Sequence, residues 1–149
     1  MKKGYTLIEL LIVIAVLMIL VGFSSLGIVS YSKASDVDSS KTIVVQALLE
    51  AQANSMAEVD DKAWGVHLEN NRVVIFADSG TGFIEGAVGN QNKTLANNTA
   101  ASWSLVSGGA EVLFSKRIGK TSNSGSITIS GASPNDIMIE INSEGRINY

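Results

Sequence analysis

Hydrophobic and polar residues are distributed unevenly along this chain, and the first thirty residues differ from the rest. The twenty residues from Leu10 to Val29 carry no charge, and Ser24 and Ser25 are the only polar side chains among them. As an α-helix this stretch would span about 30 Å, which matches the apolar core of a bilayer. Lys2 and Lys3 precede it and favour an amino end on the cytoplasmic side.

Hydrophobicity alone allows three interpretations of this segment. It could be a signal peptide cut after the apolar run, where Gly22-Phe23-Ser24 offers a small-x-small site. It could be an uncut signal anchor, or a helix that remains in the product after a short leader is removed ahead of it. Glu9 separates these, because a carboxylate at the bilayer centre costs about 2–3 kcal/mol and neither a signal peptide nor an anchor needs one. Cleavage after Gly4 would give Tyr5 an ammonium group one helical turn from Glu9, so that the two charges could compensate each other.

Residues 3–15, KGYTLIELLIVIA, resemble the cleavage and methylation motif of type IV prepilins and type II secretion pseudopilins. The resemblance implies that a prepilin peptidase cuts between Gly4 and Tyr5 and then N-methylates Tyr5, at a position where phenylalanine is usual. It also implies that Glu9 acts in assembly. The implied partners are the peptidase, other pilin or pseudopilin subunits, the inner-membrane assembly platform and membrane lipid.

The helical pattern continues beyond the apolar segment and predicts one long helix from Thr6 to about Glu58. An amphipathic stripe in its second half is expected to pack on a sheet. The stripe consists of Val37, Val44, Val45, Leu48, Leu49, Ala51 and Met56. Many pilins have a helix-kinking proline where this chain has Leu26, and here Gly22 and Gly27 could allow bending instead.

After Asp60-Asp61 the hydrophobic period changes to two, which predicts β-strands. Strands are expected at residues 64–68, 72–77, 103–106, 111–115, 126–130, 136–141 and 146–149. Residues 86–102 are expected to form a long surface loop with little core. A helix followed by antiparallel strands is an α+β fold, and in the family resembled it is the pilin fold.

The predicted organisation has three parts. Residues 1–4 are the prepilin leader, residues 5–30 a transmembrane and filament-core helix, and residues 31–149 an extracytoplasmic head in which helix 31–58 packs on a β-sheet formed by 63–149. Within that head, Ala63–Leu68 and Val74–Asp78 resemble the H-type minor pseudopilins and FimT-like proteins, in which a Trp-Gly-containing strand precedes a strand that ends in aspartate. The predicted location is the cytoplasmic (inner) membrane, crossed once, and later a pilus or pseudopilus.

Composition and charge limit the kinds of site and partner that the chain can have. The 149 residues include no cysteine, so neither a disulfide framework nor a thiolate site is expected. The net charge is −3, and it becomes −5 without Lys2 and Lys3, since 11 basic residues fall to 9 against 14 acidic ones. This acidic balance argues against DNA as a partner. The only basic cluster, Lys116, Arg117 and Lys120, would bind phosphate weakly and in a salt-sensitive way.

Catalytic and metal-binding residues are not evident. His67 is the only histidine, and it is expected to face solvent or a neighbouring strand because Val66 and Leu68 flank it. The acidic pairs Asp60-Asp61 and Asp36-x-Asp38 lack the spaced oxygen ligands of a calcium site. Asp78 and Glu85, which flank a glycine-rich loop, remain as candidate cation ligands. The sequence therefore predicts no enzyme activity and no cofactor.

Two other classes of protein remain open at this stage. One is an exported or membrane-anchored binding protein with an ordinary signal sequence, whose mature chain would begin near Ser25 if the signal were cut. The other is an enzyme domain on a membrane anchor, which the lack of a convergent acid, base, nucleophile or metal set disfavours.

Overall fold

The computed structural model describes residues 4–131 and 136–149, and for residues 22–33 it describes the helical backbone without the side chains. A single helix, α1 (Leu7–Met56), extends over 50 residues and is followed by one turn at Val59–Asp61. The predicted long helix is confirmed. The bend that was considered at Gly22, Leu26 and Gly27 falls in this segment, outside the described side chains.

The strands form two four-stranded antiparallel sheets within the described residues. Sheet A has the order β3-β2-β1-β5 and sheet B the order β4-β6-β7-β8. In chain order the strands are β1 (Ala63–Leu68), β2 (Arg72–Asp78), β3 (Gln91–Thr94), β4 (Thr99–Leu105), β5 (Glu111–Phe114), β6 (Gly125–Gly131), β7 (Ile137–Ile141) and β8 (Ile147–Asn148). The α+β class and the antiparallel head were predicted, but the division into two sheets was not.

Both sheets pack on the second half of α1. Val44, Leu48 and Ala51 of the helix are fully buried, and they belong to one apolar cluster with Phe114 of sheet A and Ile139 of sheet B. Sheets and helix therefore share a single core, and the helix supplies one wall of it. In a head this small the core is small as well, so the contribution of the helix to it is large.

The expectation of a coreless loop at residues 86–102 was wrong. β3 pairs with β2, β4 pairs with β6, and Leu95 and Ala101 are only 6% and 2% exposed. β3 has the sequence Gln-Asn-Lys-Thr and lies at the edge of sheet A, where hydrogen bonds to the backbone of β2 define a strand without apolar side chains. A hydrophobic pattern cannot reveal such a strand.

Leu49 and Met56 were expected in the buried stripe of α1, and this was also wrong. They are 46% and 45% exposed, since neither side chain is covered by a sheet, and Met56 lies beside the turn at Gly119. The buried position in the last turn belongs to Ser55, which is 0% exposed.

Three polar side chains fasten the buried side of α1 to the backbone of the head. Ser40 Oγ accepts the Ala96 N–H at 2.9 Å and lies 2.8 Å from Thr99 Oγ1. Gln52 Nε2 donates to the carbonyl oxygens of Gly119 and Gly145, both at 2.9 Å. Ser55 Oγ accepts the Trp64 N–H at 2.6 Å and donates to Phe114 O at 2.8 Å, which ties the helix to both β1 and β5.

Ser55→Ala is expected to destabilise the head by about 1–3 kcal/mol, because it leaves the buried Trp64 N–H and Phe114 C=O without their partner. Urea unfolding of the full-length protein in mild detergent, followed by tryptophan fluorescence, measures this. Ser39→Ala is the matched control, since Ser39 is exposed and its hydroxyl bonds only to Ser35 O within the helix. The control should change the free energy of unfolding by less than about 0.5 kcal/mol. Equal effects of the two substitutions would contradict the assignment.

Candidate functional site

The predicted processing site lies immediately before α1. Gly4, Tyr5 and Thr6 are not helical, and Thr6 has extended backbone angles of φ −81° and ψ 153°. The Tyr5 side chain is 83% exposed, and a Cβ added to Gly4 would meet no atom within 4 Å. The bond between Gly4 and Tyr5 is therefore accessible, and no helical turn has to unfold for a peptidase to reach it.

Thr6 and Glu9 form a capping box at the start of α1. The Glu9 backbone N–H donates to Thr6 Oγ1, and the Thr6 backbone N–H donates to the Glu9 carboxylate, each over 3.4 Å. The Glu9 N–H also donates to Thr6 O at 3.2 Å, whereas the carboxylate gives the Thr6 N–H a partner and lies at the positive end of the helix dipole. Sequence analysis missed this second role of Glu9, although Thr6-Leu7-Ile8-Glu9 has the spacing that marks a capping box.

The capping box changes the expected relation between Tyr5 and Glu9. The sequence placed both residues on one helical face, one turn apart. In the uncut chain Thr6 is the N-cap and Tyr5 precedes the helix, so the shared face is not present there. The capping box nevertheless holds the Glu9 carboxylate at the amino end of α1. Cleavage after Gly4 would create the new amino group of Tyr5 next to that end.

The remainder of the segment is an exposed apolar helix. Every residue from Leu7 to Val21 is exposed, and the large apolar side chains are 48% to 81% accessible. An apolar surface of this extent marks a site that another apolar body covers. Among the residues described, no helix is both long enough and apolar enough to cross a membrane. The rest of the predicted transmembrane segment, residues 22–30, lies outside the described side chains.

His67 packs a loop against sheet A. Its ring stacks on Phe83 with 4.0 Å between ring centroids, and Nδ1, which is buried without a hydrogen bond, lies 3.6 Å from Glu111 Oε1. Glu111 also accepts the Phe83 N–H at 3.3 Å. The His67 side chain was expected to face either solvent or a neighbouring strand, and it lies beside Glu111 of the neighbouring strand β5.

Asp78 and Glu85 do not come together as cation ligands. The Asp78 carboxylate accepts the N–H groups of Gly80 and Gly82 at 2.8 and 2.9 Å and so closes the loop after β2. Glu85 pairs with Arg72 at 2.9 Å. Within residues 4–131 and 136–149, no three His, Asp or Glu side chains group closely enough to hold a metal ion.

Arg72 also binds Glu69 through two hydrogen bonds, at 2.8 and 2.7 Å. These bonds hold the pKa of Glu69 below its ordinary value, and those from Glu69 and Glu85 raise the pKa of Arg72. The group joins the β1–β2 turn to the loop after β2. The charges of Arg72, Glu69 and Glu85 are therefore paired with one another within the head.

The basic cluster is neutralised by acidic neighbours. Lys116 pairs with Asp61 at 2.5 Å, Arg117 with Glu58 at 2.6 Å and Lys120 with Glu144 at 2.6 Å. The hydrogen bond from Lys116 and the attraction of its charge hold the pKa of Asp61 below its ordinary value. With each cation already paired, this region offers little positive potential to a nucleic-acid phosphate.

Comparison with known proteins gives one match to a family and one to a solved structure. Residues 1–25 match the family model described as the prokaryotic N-terminal methylation motif. The fold is similar to the crystal structure of the type IV minor pilin FimU from Pseudomonas aeruginosa, with a TM-score of 0.54 and 12% identity. That similarity covers 74% of this chain and 89% of the FimU chain. No curated protein sequence matches the chain.

Proposed function

We infer that this chain is a type IV pilin-like protein and a structural subunit of a type IV pilus or of a type II secretion pseudopilus. One observation carries the inference. A prepilin-type methylation motif stands at the head of an exposed apolar helix, and a single carboxylate, Glu9, lies at the start of that helix. The pilin fold of the rest of the chain is the architecture that such a subunit needs.

The uncut chain enters the cytoplasmic membrane with Lys2 and Lys3 on the inner side and the head outside. Prepilin peptidase removes residues 1–4 and methylates the new amino group of Tyr5. The accessible, non-helical Gly4–Tyr5 bond suits this step. Residues 5–30 then hold the subunit in the bilayer until an inner-membrane assembly platform extracts it.

In the filament, the apolar side chains of Leu7–Val21 exchange lipid contacts for contacts with other subunits. Glu9 selects the register of that packing. Its carboxylate pairs with the Tyr5 ammonium of a neighbouring subunit, and this pairing offsets the unfavourable burial of both charges, whereas a misaligned subunit leaves them unpaired. The capping box supports this role because it holds the carboxylate at the helix start.

The role is structural, so the partners are the peptidase, other pilin-type subunits, the assembly platform and lipid. An exported or membrane-anchored binding protein with an ordinary signal sequence is the alternative, and nothing in the described head favours it. Glu9 has no purpose in such a signal.

Mass spectrometry of the mature amino terminus tests the proposal. When the full-length chain is expressed with prepilin peptidase, the expected product begins at Tyr5 and carries one N-methyl group. Expression without the peptidase is the control and should yield residues 1–149 intact. A product that begins near Ser25, or an unchanged amino terminus in the presence of the peptidase, would contradict the proposal.

A further inference from the structure

The outer face of sheet B, which is turned away from α1, carries a shallow groove of about 510 Å³. Ile127 and Ile139 of this sheet are buried in the core shared with the helix, so the residues that alternate with them face outward. In the register of the sheet, one outward side chain from each of the four strands stands in a line across the groove. This line is called the polar row and consists of Ser104, Ser126, Glu140 and Asn148.

Side-chain size gives the groove its shape. Ser104, Ser124 and Ser126 have short side chains and leave open space above the sheet. The longer side chains of Glu140 and Asn142, on β7 and directly after it, stand beside that space. Across four strands the groove is about 14 Å long, because neighbouring strands lie about 4.8 Å apart. It can therefore hold a short chain of linked units.

The hydrogen-bonding groups of the polar row are not used within the subunit. Within the part of the chain that the structure describes, none of its four side chains makes a hydrogen bond or an ion pair. By contrast, Glu69, Glu85 and Glu144 are all paired with basic residues of the head. Unused polar groups on an exposed face hold water, and a ligand that reproduces the same hydrogen bonds can replace that water.

The residues of the groove exclude several classes of ligand. No basic side chain among the described residues lines it, and Glu140 is negative, so phosphate and nucleic acid are disfavoured. One carboxylate is too few for a calcium ion, which needs six or more oxygen ligands. Ile141 is the only large apolar residue of the lining and is just 3% exposed, so a protein partner would find no apolar anchor there.

The chemistry that remains is that of hydroxyl groups. Serine hydroxyls and the asparagine amide both donate and accept hydrogen bonds, and an ionised carboxylate accepts two or more. A sugar presents hydroxyl groups that can donate and accept in the same way, and a chain of sugars presents them at repeated positions. A line of four such side chains across four strands matches a ligand of this kind.

We propose that the groove binds a short neutral saccharide chain through the polar row, with Ser126 and Glu140 as its central contacts. The proposal goes beyond the structural role of the subunit, and it requires neither cleavage after Gly4 nor assembly. No aromatic ring lines the groove for a sugar to stack on, so hydrogen bonds exchanged with water supply the affinity. A single subunit should therefore bind weakly, with a Kd of about 1 mM.

Saturation-transfer NMR on the full-length protein tests the proposal, in a detergent that has no sugar head group. The probes are cellotetraose and chitotetraose, which are both neutral and which distinguish plain from N-acetylated glycan chains. At least one of them should receive saturation from the protein. A heparin tetrasaccharide has a similar length but is sulfated, and it should receive none.

Two substitutions locate the binding. Ser126→Val removes the central hydroxyl and places a residue that suits a strand, and Glu140→Ala removes the carboxylate from an exposed position. Each should raise the Kd about fivefold or more without lowering the urea concentration at which the head unfolds. Ser130→Val is the matched control, since Ser130 lies on the same face of β6, about 13 Å from Ser126. It should bind as the wild type does.

The outcomes separate this inference from the proposed function. Absence of transfer to both neutral tetrasaccharides, at concentrations well above the expected Kd, overturns the site. Unchanged binding by Ser126→Val and Glu140→Ala shows that the sugar lies elsewhere and overturns it as well, and a preference for the sulfated sugar overturns the neutral class. Each of these results leaves the subunit role standing, which is decided by the amino terminus at Tyr5 and not by sugar binding.

Discussion

Glu9→Ala is expected to enter the membrane and be cut normally but to assemble into filaments poorly. Once the helix leaves the lipid, a neighbour's Tyr5 ammonium would be buried without its carboxylate. Breaking one side of a buried ion pair costs about 3–5 kcal/mol, and about 1.4 kcal/mol is tenfold in an equilibrium. The amount of chain in sheared filaments, measured against the amount processed in the membrane, should fall about a hundredfold or more.

The capping box calls for two controls that separate charge from helix capping. Glu9→Gln can still accept the Thr6 N–H, since glutamine serves in a capping box as glutamate does, but it has no charge. It should fail to assemble as severely as Glu9→Ala. Thr6→Ala loses the cap, at about 0.5–2 kcal/mol of local helix stability, and keeps the carboxylate, so it should assemble far better. The opposite ranking would show that Glu9 acts through the cap alone.

Gly145→Ala is expected to destabilise the head by about 3 kcal/mol or more. Gly145 has a positive φ of 78°, which is unfavourable for any residue with a Cβ. Its Cβ would also overlap the carbonyl oxygen of Gly119 and approach Gln52 Nε2 at 2.6 Å. Both atoms belong to the contact through which Gln52 joins two turns to the helix, so strain there disturbs the helix and both turns together. Urea unfolding followed by tryptophan fluorescence measures the loss.

Gly86→Ala separates backbone strain from overlap in that experiment. Its φ of 72° nearly equals that of Gly145, but a Cβ there would meet no atom within 4 Å. It should destabilise the head by only about 1 kcal/mol, the cost of a left-handed residue with a side chain. If the two substitutions lower the free energy of unfolding equally, the close contact of Gly145 with Gly119 does not contribute to the cost of adding a side chain.

The helix and most of the strands could be predicted because their apolar residues repeat at the period of the element. The buried positions Val44, Leu48 and Ala51 follow the helical period, and Ile139 and Ile141 follow the strand period. β3 could not be predicted, because an edge strand is defined by backbone hydrogen bonds that any polar side chain permits. The exposure of Leu49 and Met56 depends on where the sheets end around the helix, which is a tertiary property.

The candidate site was predictable in part for a similar reason. Gly4, Tyr5 and Glu9 stand out because a leader and a lone carboxylate contradict the apolar run around them. The geometry of these three residues was harder to predict, because whether the helix begins at Thr6 or Leu7 depends on which residue caps it. The Thr6-x-x-Glu9 spacing marks Thr6 as the cap. When that spacing is overlooked, Glu9 is interpreted by its charge alone.

The attachment of α1 to the head has a mechanical consequence. Ser40 bonds to the loop before β4, Gln52 to two turns and Ser55 to the backbone of sheet A, at points spread over about 22 Å of the helix. A pull along the axis therefore loads these bonds in shear and in parallel. Tension drawn through the helix is therefore shared among several separate parts of the head instead of being carried by a single attachment.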